Sequence, residues 1–352
     1  MPSMRVVEVK KPGSADGLAL GTADKPLPNR NDLLVKVHSF ALNRMDIMQR
    51  DGKYPVPPGA SPILGVEFAG VVEAAGDGVT KAKVGDRICG LLSGGCYAEV
   101  RTELSADLVS GHILTSSQYV LVPEDLAIPI PDNVSFEKAA AFPEAQFTAY
   151  QALFWINDLK EGEDVLIHAG ASGVGLAAIQ LAKWKRAGRI IATAGTASKL
   201  KHCKEHGATH AINYKEESFK EKINEITEGK GVNCIVDFIG ATYWNDNIAS
   251  LGRDGRMVLL GFLGGMKLDQ FDLSPLLLKR LKIEGSTLRS RSEEYTARLR
   301  TAVVKDVLPM LASGALDVRI CKVFPWTEIV DAHKYMEGNH NEGKIVVTIT
   351  SE

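Results

Sequence analysis

The sequence predicts an α/β fold in which a doubly wound parallel sheet is nested inside an irregular β domain. Three observations predict it. A glycine-rich turn, His168-Ala169-Gly170-Ala171-Ser172-Gly173-Val174-Gly175, joins the apolar run Val165-Leu166-Ile167 to the helix-forming stretch Leu176–Lys183. Strand-like and helix-like runs alternate from 165 to 261, the pattern of βα units with parallel strands. Residues before 144 are rich in Val, Gly and Pro and carry few long helical patterns.

In the first region Val35-Lys36-Val37-His38 alternates, and Glu67–Val72 and Arg87-Ile88-Cys89-Gly90 are short apolar segments. Strands are then expected at 165–168, 189–193, 210–213, 233–237 and 257–261. Helices are expected between and after them at 174–187, 198–206, 217–228 and 243–252. Past 295 the character is mixed again, with one helix near 294–313, a second near 327–337, and a final strand Lys344–Ile349. That strand most simply rejoins the first region. The expected division is therefore 1–144 with 296–352 as one domain and 145–295 as the other.

A chain of 352 residues, 45 % apolar, has enough material for two cores. A net charge of −2 and the lack of a basic stripe with interleaved aromatics argue against nucleic acid and anionic membranes as partners. No apolar run approaches the length of a membrane span. Met1-Pro2-Ser3-Met4 leads straight into a strand with no signal-peptide pattern, so a cytoplasmic protein is expected. The five cysteines are scattered and form no C-x-x-C pair, which suggests neither a disulfide framework nor a zinc lobe.

The turn reads G-x-S-x-x-G, with Gly170, Ser172 and Gly175 at the marked positions and Gly173 and Val174 opening the helix. A Rossmann unit places a dinucleotide pyrophosphate at such a turn, because glycine lets the backbone approach and the helix N-terminus offers free N–H groups. An NAD site wants an acid at the end of the second strand, to bond the ribose 2′-hydroxyl. Here that end reads Thr193-Ala194-Gly195-Thr196, without a carboxylate, and Lys199 follows. A 2′-phosphate suits this set better than a bare ribose, so the expected cofactor is NADPH.

Several segments carry a resemblance: Ala41–Arg50, Pro57–Glu67, Val84-Gly85-Asp86-Arg87, Ala139–Ala145, His168–Gly175, Phe238-Ile239-Gly240, Leu288-Arg289-Ser290-Arg291 and Gly343-Lys344-Ile345-Val346. Through them nearly the whole chain resembles the quinone oxidoreductase (zeta-crystallin-like) branch of the medium-chain dehydrogenase/reductase superfamily. Within that branch it is most similar to the tumour-suppressor-inducible quinone oxidoreductases of animals. The resemblance implies a Rossmann domain nested in a GroES-like irregular β-barrel domain, with the active site in the cleft between them. It also implies that Gly170–Gly175 holds the pyrophosphate and that Gly195, Lys199 and Tyr214 surround the 2′-phosphate. Gly261-Phe262-Leu263 and Thr148 would then lie along the nicotinamide, with Asn43 and Tyr54 facing nicotinamide and substrate from the first domain. Relatives of this kind pair their sheets edge to edge through the strand near Lys282-Ile283-Glu284, so a homodimer is expected.

Zinc-using relatives carry a Cys near Asn43 and a Gly-His-Glu near Gly65-Val66-Glu67; here Val66, which cannot ligate a metal, takes the middle place. The expectation is a zinc-independent NADPH-dependent reductase of quinones or related enones, with Tyr54 donating to the developing oxyanion and Asn43 orienting. Two other readings stay open: an alkenal or enoyl double-bond reductase, and an NADPH-binding, crystallin-like protein with little turnover. His38, His112, His168 and His333 read as structural or surface residues.

One stretch breaks the pattern. Gly94–Glu99 and Tyr119–Glu124 match two halves of one continuous strand in the family, yet Val100–Gln118 intervene. Insertions favour loops over strands. A valine codon begins with GT and the glutamine codon CAG ends in AG, so the segment reads as an untranslated intron retained in the gene model. The competing reading is a genuine surface excursion, and transcript sequencing separates the two.

Overall fold

A computed structural model describes residues 3–97 and 118–349. The chain forms two compact units, Met1–Glu144 with Arg289–Glu352, and Ala145–Leu288.

The first unit opens with an antiparallel pair, β1 (Ser3–Val9) and β2 (Leu18–Asp24). The long strand β3 (Asp32–Ala41) is followed by helix α1 (Arg44–Arg50), then β4 (Glu67–Ala75), β5 (Arg87–Leu91), β6 (Gln118–Pro123) and β7 (Ile128–Pro129). β3 pairs antiparallel with both β4 and β6. Its side chains alternate between faces, as a strand requires. Leu33, Val35 and Val37 enter a core with Phe68, Val72, Ile88, Val120 and Val122, whereas Leu34 packs with Met4, Val6 and Tyr119. Two register shifts between β3 and β4 bend the sheet, which accounts for its irregular character. A short helix, α2 (Phe136–Ala140), follows, capped by Ser135.

Helix α3 (Pro143–Tyr150) leads into the second unit. There β8 (Val165–Ile167), α4 (Gly173–Trp184), β9 (Ile190–Ala194), α5 (Ala197–Glu205), β10 (His210–Asn213) and α6 (Phe219–Ile226) alternate. β11 (Val232–Asp237), α7 (Trp244–Ser250), β12 (Leu251–Leu259), α8 (Ser274–Leu278) and β13 (Lys282–Gly285) complete it. The strands are all parallel, in the order β10-β9-β8-β11-β12-β13. This is the doubly wound Rossmann order, which reverses direction beside β8. Every residue of β8 and β9 is buried, so these strands read as continuous apolar runs instead of alternating ones.

The chain then returns to the first unit. The single helix expected near 294–313 is instead two, α9 (Glu293–Asp306) and α10 (Leu308–Ser313). Pro309 has no N–H to continue the ladder, and Gly314, at φ 76°, ends the second helix. The helix expected to reach 252 stops at Ser250, because Leu251 already begins β12. β14 (Ile320–Pro325), α11 (Ile329–Glu337) and β15 (Lys344–Thr348) follow, and β15 pairs antiparallel with β3. The anomalous stretch 100–118 lies outside the described residues except for Gln118, which starts β6 opposite Val37.

Candidate active site

In the second unit the glycine turn leaves β8 through Ala169, which takes φ 47°. Two of its glycines are fixed by space. A methyl on Gly170 would lie 2.8 Å from Ala192 Cβ and 2.9 Å from Cys203 Sγ; one on Gly175 would lie 2.4 Å from the Ala169 carbonyl. The first glycine therefore lets the turn press against β9 and α5, and the second lets α4 pack on its own entry loop. Ser172 caps α4, its Oγ accepting from Gly175 N at 3.0 Å. Gly173 and Val174 form the first helical turn, where unpaired N–H groups and the helix dipole favour an anion. Behind the turn, fully buried His168 bonds Thr193 Oγ1 through Nδ1 (2.9 Å) and Asn247 Oδ1 through Nε2 (2.7 Å). Burial pushes its pKa down to about 4, so it stays neutral and ties β8 to β9 and α7.

The end of β9 brings together a second set. A methyl on Gly195 would lie 2.7 Å from the Tyr214 hydroxyl and 3.1 Å from Lys215 Cε. Lys199 stands in the first turn of α5, its N–H bonded to the capping Thr196 Oγ1 at 3.2 Å. A glycine packed against a phenol and Lys215, with Lys199 opening the next helix and no acid in Thr193-Ala194-Gly195-Thr196, fits a phosphate ester better than a ribose hydroxyl. Lys215 was not singled out in the sequence, although its place next to Tyr214 was a usable signal.

Beyond β12, Gly261-Phe262-Leu263 is tied to the loop after β11. Leu263 N donates to the Phe238 carbonyl (3.0 Å) and Gly264 N to that of Ile239 (2.7 Å). A methyl on Gly261 would stand 3.2 Å from the Phe238 carbonyl, while Phe262 and Leu263 are exposed. Asp237 holds the β11 end, accepting from Ile239 N and Gly240 N at 2.8 and 3.1 Å, and burial raises its pKa to about 6. Thr148 is buried in α3.

The remaining expected residues lie in the first unit, where they form two neighbouring groups. Asn43 precedes α1, and its N–H donates to Asp46 Oδ2 at 2.8 Å. Its amide is fully engaged: Nδ2 donates to Glu67 Oε1 (2.8 Å) and Oδ1 accepts from Lys344 Nζ (2.7 Å). Lys344 also donates to the Leu42 carbonyl (3.1 Å) and to Glu67 Oε1 (2.5 Å). The second oxygen of Glu67 accepts from Glu144 N at 2.9 Å. Asp46 accepts further bonds from Tyr97 Oη (3.0 Å) and Gly65 N (3.3 Å), and complete burial raises its pKa to about 6. Asn43 is thus held rigidly, with both ends of its side chain taken up by buried charges. Val66, 1 % exposed, separates Gly65 from Glu67, and among the described residues no three His, Cys, Asp or Glu side chains gather as metal ligands.

Tyr54 belongs to the second group. It is half-buried, and burial raises its phenol pKa, opposed by the charge of Arg289. The Arg289 guanidinium lies over its ring, 5.5 Å from the centroid. Arg289 and Lys344 both stood in segments that carried the resemblance, yet neither had a role assigned. Their partners are far away in sequence, so no local pattern revealed them.

Residues 173–303 match the family model of the zinc-binding dehydrogenases, and residues 29–132 that of the alcohol dehydrogenase GroES-like domain. Human quinone oxidoreductase is 29 % identical, over 98 % of both chains. The human synaptic vesicle membrane protein VAT-1 homolog is 31 % identical, over 92 % of this chain and 81 % of its own. Among solved structures, Escherichia coli quinone oxidoreductase complexed with NADPH superposes with a TM-score of 0.81 at 30 % identity, covering 98 % of this chain and all of its own.

Proposed function

Because the chain belongs to the medium-chain dehydrogenase/reductase superfamily, and so to a family of oxidoreductases, we propose that it is a zinc-independent NADPH:quinone oxidoreductase. The observation that carries the cofactor half of this reading is the set at the end of β9. Gly195 has no space for a side chain beside Tyr214 and Lys215, and the acid that would bond a ribose 2′-hydroxyl is absent. Gly170, Ser172, Gly173, Val174 and Gly175 hold the pyrophosphate, and Lys199 and Tyr214 hold the 2′-phosphate. Thr148 and Gly261-Phe262-Leu263 line the nicotinamide.

When bound, NADPH supplies the hydride. The residues of this chain position the acceptor and answer the charge that develops on it. Tyr54 keeps its proton, because burial raises its pKa, and so is suited to donate to the acceptor oxygen. Asn43, clamped by Lys344 and Glu67, sets the loop entering α1. The positive charge of Lys344 already compensates the buried Glu67 carboxylate. Quinones are electrophilic enough to accept hydride under these conditions.

The proposed enzyme is cytoplasmic and works on a small molecule. No helix among the described residues is long and apolar enough to cross a membrane. A homodimer is proposed through β13, the edge strand of the six-stranded sheet, flanked by the exposed Leu273, Leu277 and Leu278. The test is NADPH oxidation by the purified protein with 1,2-naphthoquinone and, separately, with an alkenal. Preference for the quinone supports the reading; preference for the alkenal reassigns the enzyme as a double-bond reductase.

A further inference from the structure

Arg289 is 6 % exposed, and only part of its guanidinium is satisfied. Nε donates to the Ser93 carbonyl at 2.7 Å, but among the described residues neither Nη1 nor Nη2 has a hydrogen-bond partner. Burying a charged group with unmade hydrogen bonds is costly, and proteins rarely retain one without use. Ser93 fixes the fork from one side and the Tyr54 ring lies 5.5 Å from Cζ on another. Gly94 packs beside the fork: a methyl there would stand 3.4 Å from Nη2, in van der Waals contact, and 2.7 Å from the Ser61 carbonyl.

We propose that Arg289 and Tyr54 form an oxyanion-binding site, with the two free Nη groups holding the negatively charged oxygen of a phenolate, quinol anion or enolate. The site's catalytic meaning rests on the acceptor-reducing function proposed above; its ligand class does not. A guanidinium does not give up its proton in proteins, so Arg289 acts as a fixed charge and not as an acid. When the acceptor gains a hydride, NADPH is oxidised to NADP⁺ and the acceptor is reduced by two electrons. A carbonyl π pair moves onto oxygen, where Arg289 holds it as the anion. The proton that completes the quinol comes from the Tyr54 hydroxyl, which water then reprotonates.

The probe is 4-nitrophenol, whose ionisation is visible by absorbance, titrated into cofactor-free protein. Wild type is expected to bind the phenolate at least tenfold more tightly than the neutral phenol, so that the bound dye ionises at least one pH unit below the free dye. Arg289→Gln abolishes that displacement, and Arg289→Lys, which keeps the charge without the fork, retains part of it. With 1,2-naphthoquinone, Arg289→Gln lowers kcat by roughly 100- to 1,000-fold, the usual loss on removing an oxyanion donor. NADPH affinity, followed by fluorescence, stays within about twofold of wild type if the site holds the acceptor. Unchanged dye ionisation in Arg289→Gln overturns the proposal, as does a loss confined to NADPH affinity. Should Arg289→Gln fail to fold, the Lys variant and Tyr54→Phe carry the test, and a wild-type dye ionising as it does in solution overturns the proposal outright. A wild type that displaces the dye's ionisation yet reduces no quinone leaves this site standing and removes the quinone reductase function.

Discussion

The ammonium of Lys344 lies 2.5 Å from the carboxylate of Glu67, and both side chains are almost wholly buried. The two residues are 277 positions apart in sequence, so only the return of the chain as β15 beside β3 brings them together. Asn43 joins them, bonded to each. The pair therefore couples the last strand to the loop that carries a proposed active-site residue.

Breaking that pair leaves an uncompensated charge in the interior. Lys344→Met is expected to cost about 3–5 kcal/mol of stability. Adding Glu67→Gln recovers most of the loss, because the unpaired charge disappears. Urea unfolding of the single and double variants measures both. Equal destabilisation by the two would show that Lys344 contributes through packing alone.

The 2′-phosphate assignment makes a selective prediction. A charge-assisted hydrogen bond to phosphate is worth about 1.5–3 kcal/mol, so Lys199→Ala should weaken NADPH binding by roughly 10- to 150-fold. Affinity for NADH, which lacks that phosphate, should not change. Equal weakening of both cofactors would move Lys199 away from the 2′ position.

His168 gives the second unit a pH dependence on the acid side. Its folded pKa is lowered to about 4 from the ordinary 6.5, so the unfolded chain takes up the proton first. Its contribution is present above 6.5 and is lost as pH falls from 6.5 to 4, about 3 kcal/mol in all. His168→Gln should flatten that part of the stability profile. The buried carboxyls Asp46 and Asp237, both raised to about 6, act in the opposite sense over an overlapping range. The comparison must therefore be variant against wild type, by urea unfolding at each pH.

The proposed dimer places β13 against its counterpart. Leu277, 79 % exposed and close to that edge in sequence, should tolerate charge in a monomer and not in the dimer. Leu277→Glu is expected to convert a dimer into a folded monomer in sedimentation analysis. A wild type that already sediments as a monomer would remove the dimer.

Much of the second unit was legible because its signals are local. The Gly170–Gly175 turn and the buried runs of β8 and β9 announce themselves by spacing and composition. Boundaries were harder where two tendencies compete. Residues 294–313 read as one helix because helix formers surround Pro309, yet that proline is the local signal for the break at Val307. The polar groups of the first unit were least legible. Asn43, Glu67 and Lys344 meet through strand pairing, and Arg289 reaches Ser93 and Tyr54 across long stretches of chain. No periodicity encodes such meetings.

The most direct measurement is steady-state oxidation of NADPH by the purified protein in the presence of 1,2-naphthoquinone, with NADH as the matched control. A quinone-dependent loss of NADPH absorbance, with little loss of NADH at the same concentration, is the predicted result. Tight NADPH binding without quinone-dependent turnover would contradict the account and leave a cofactor-binding protein in place of a reductase.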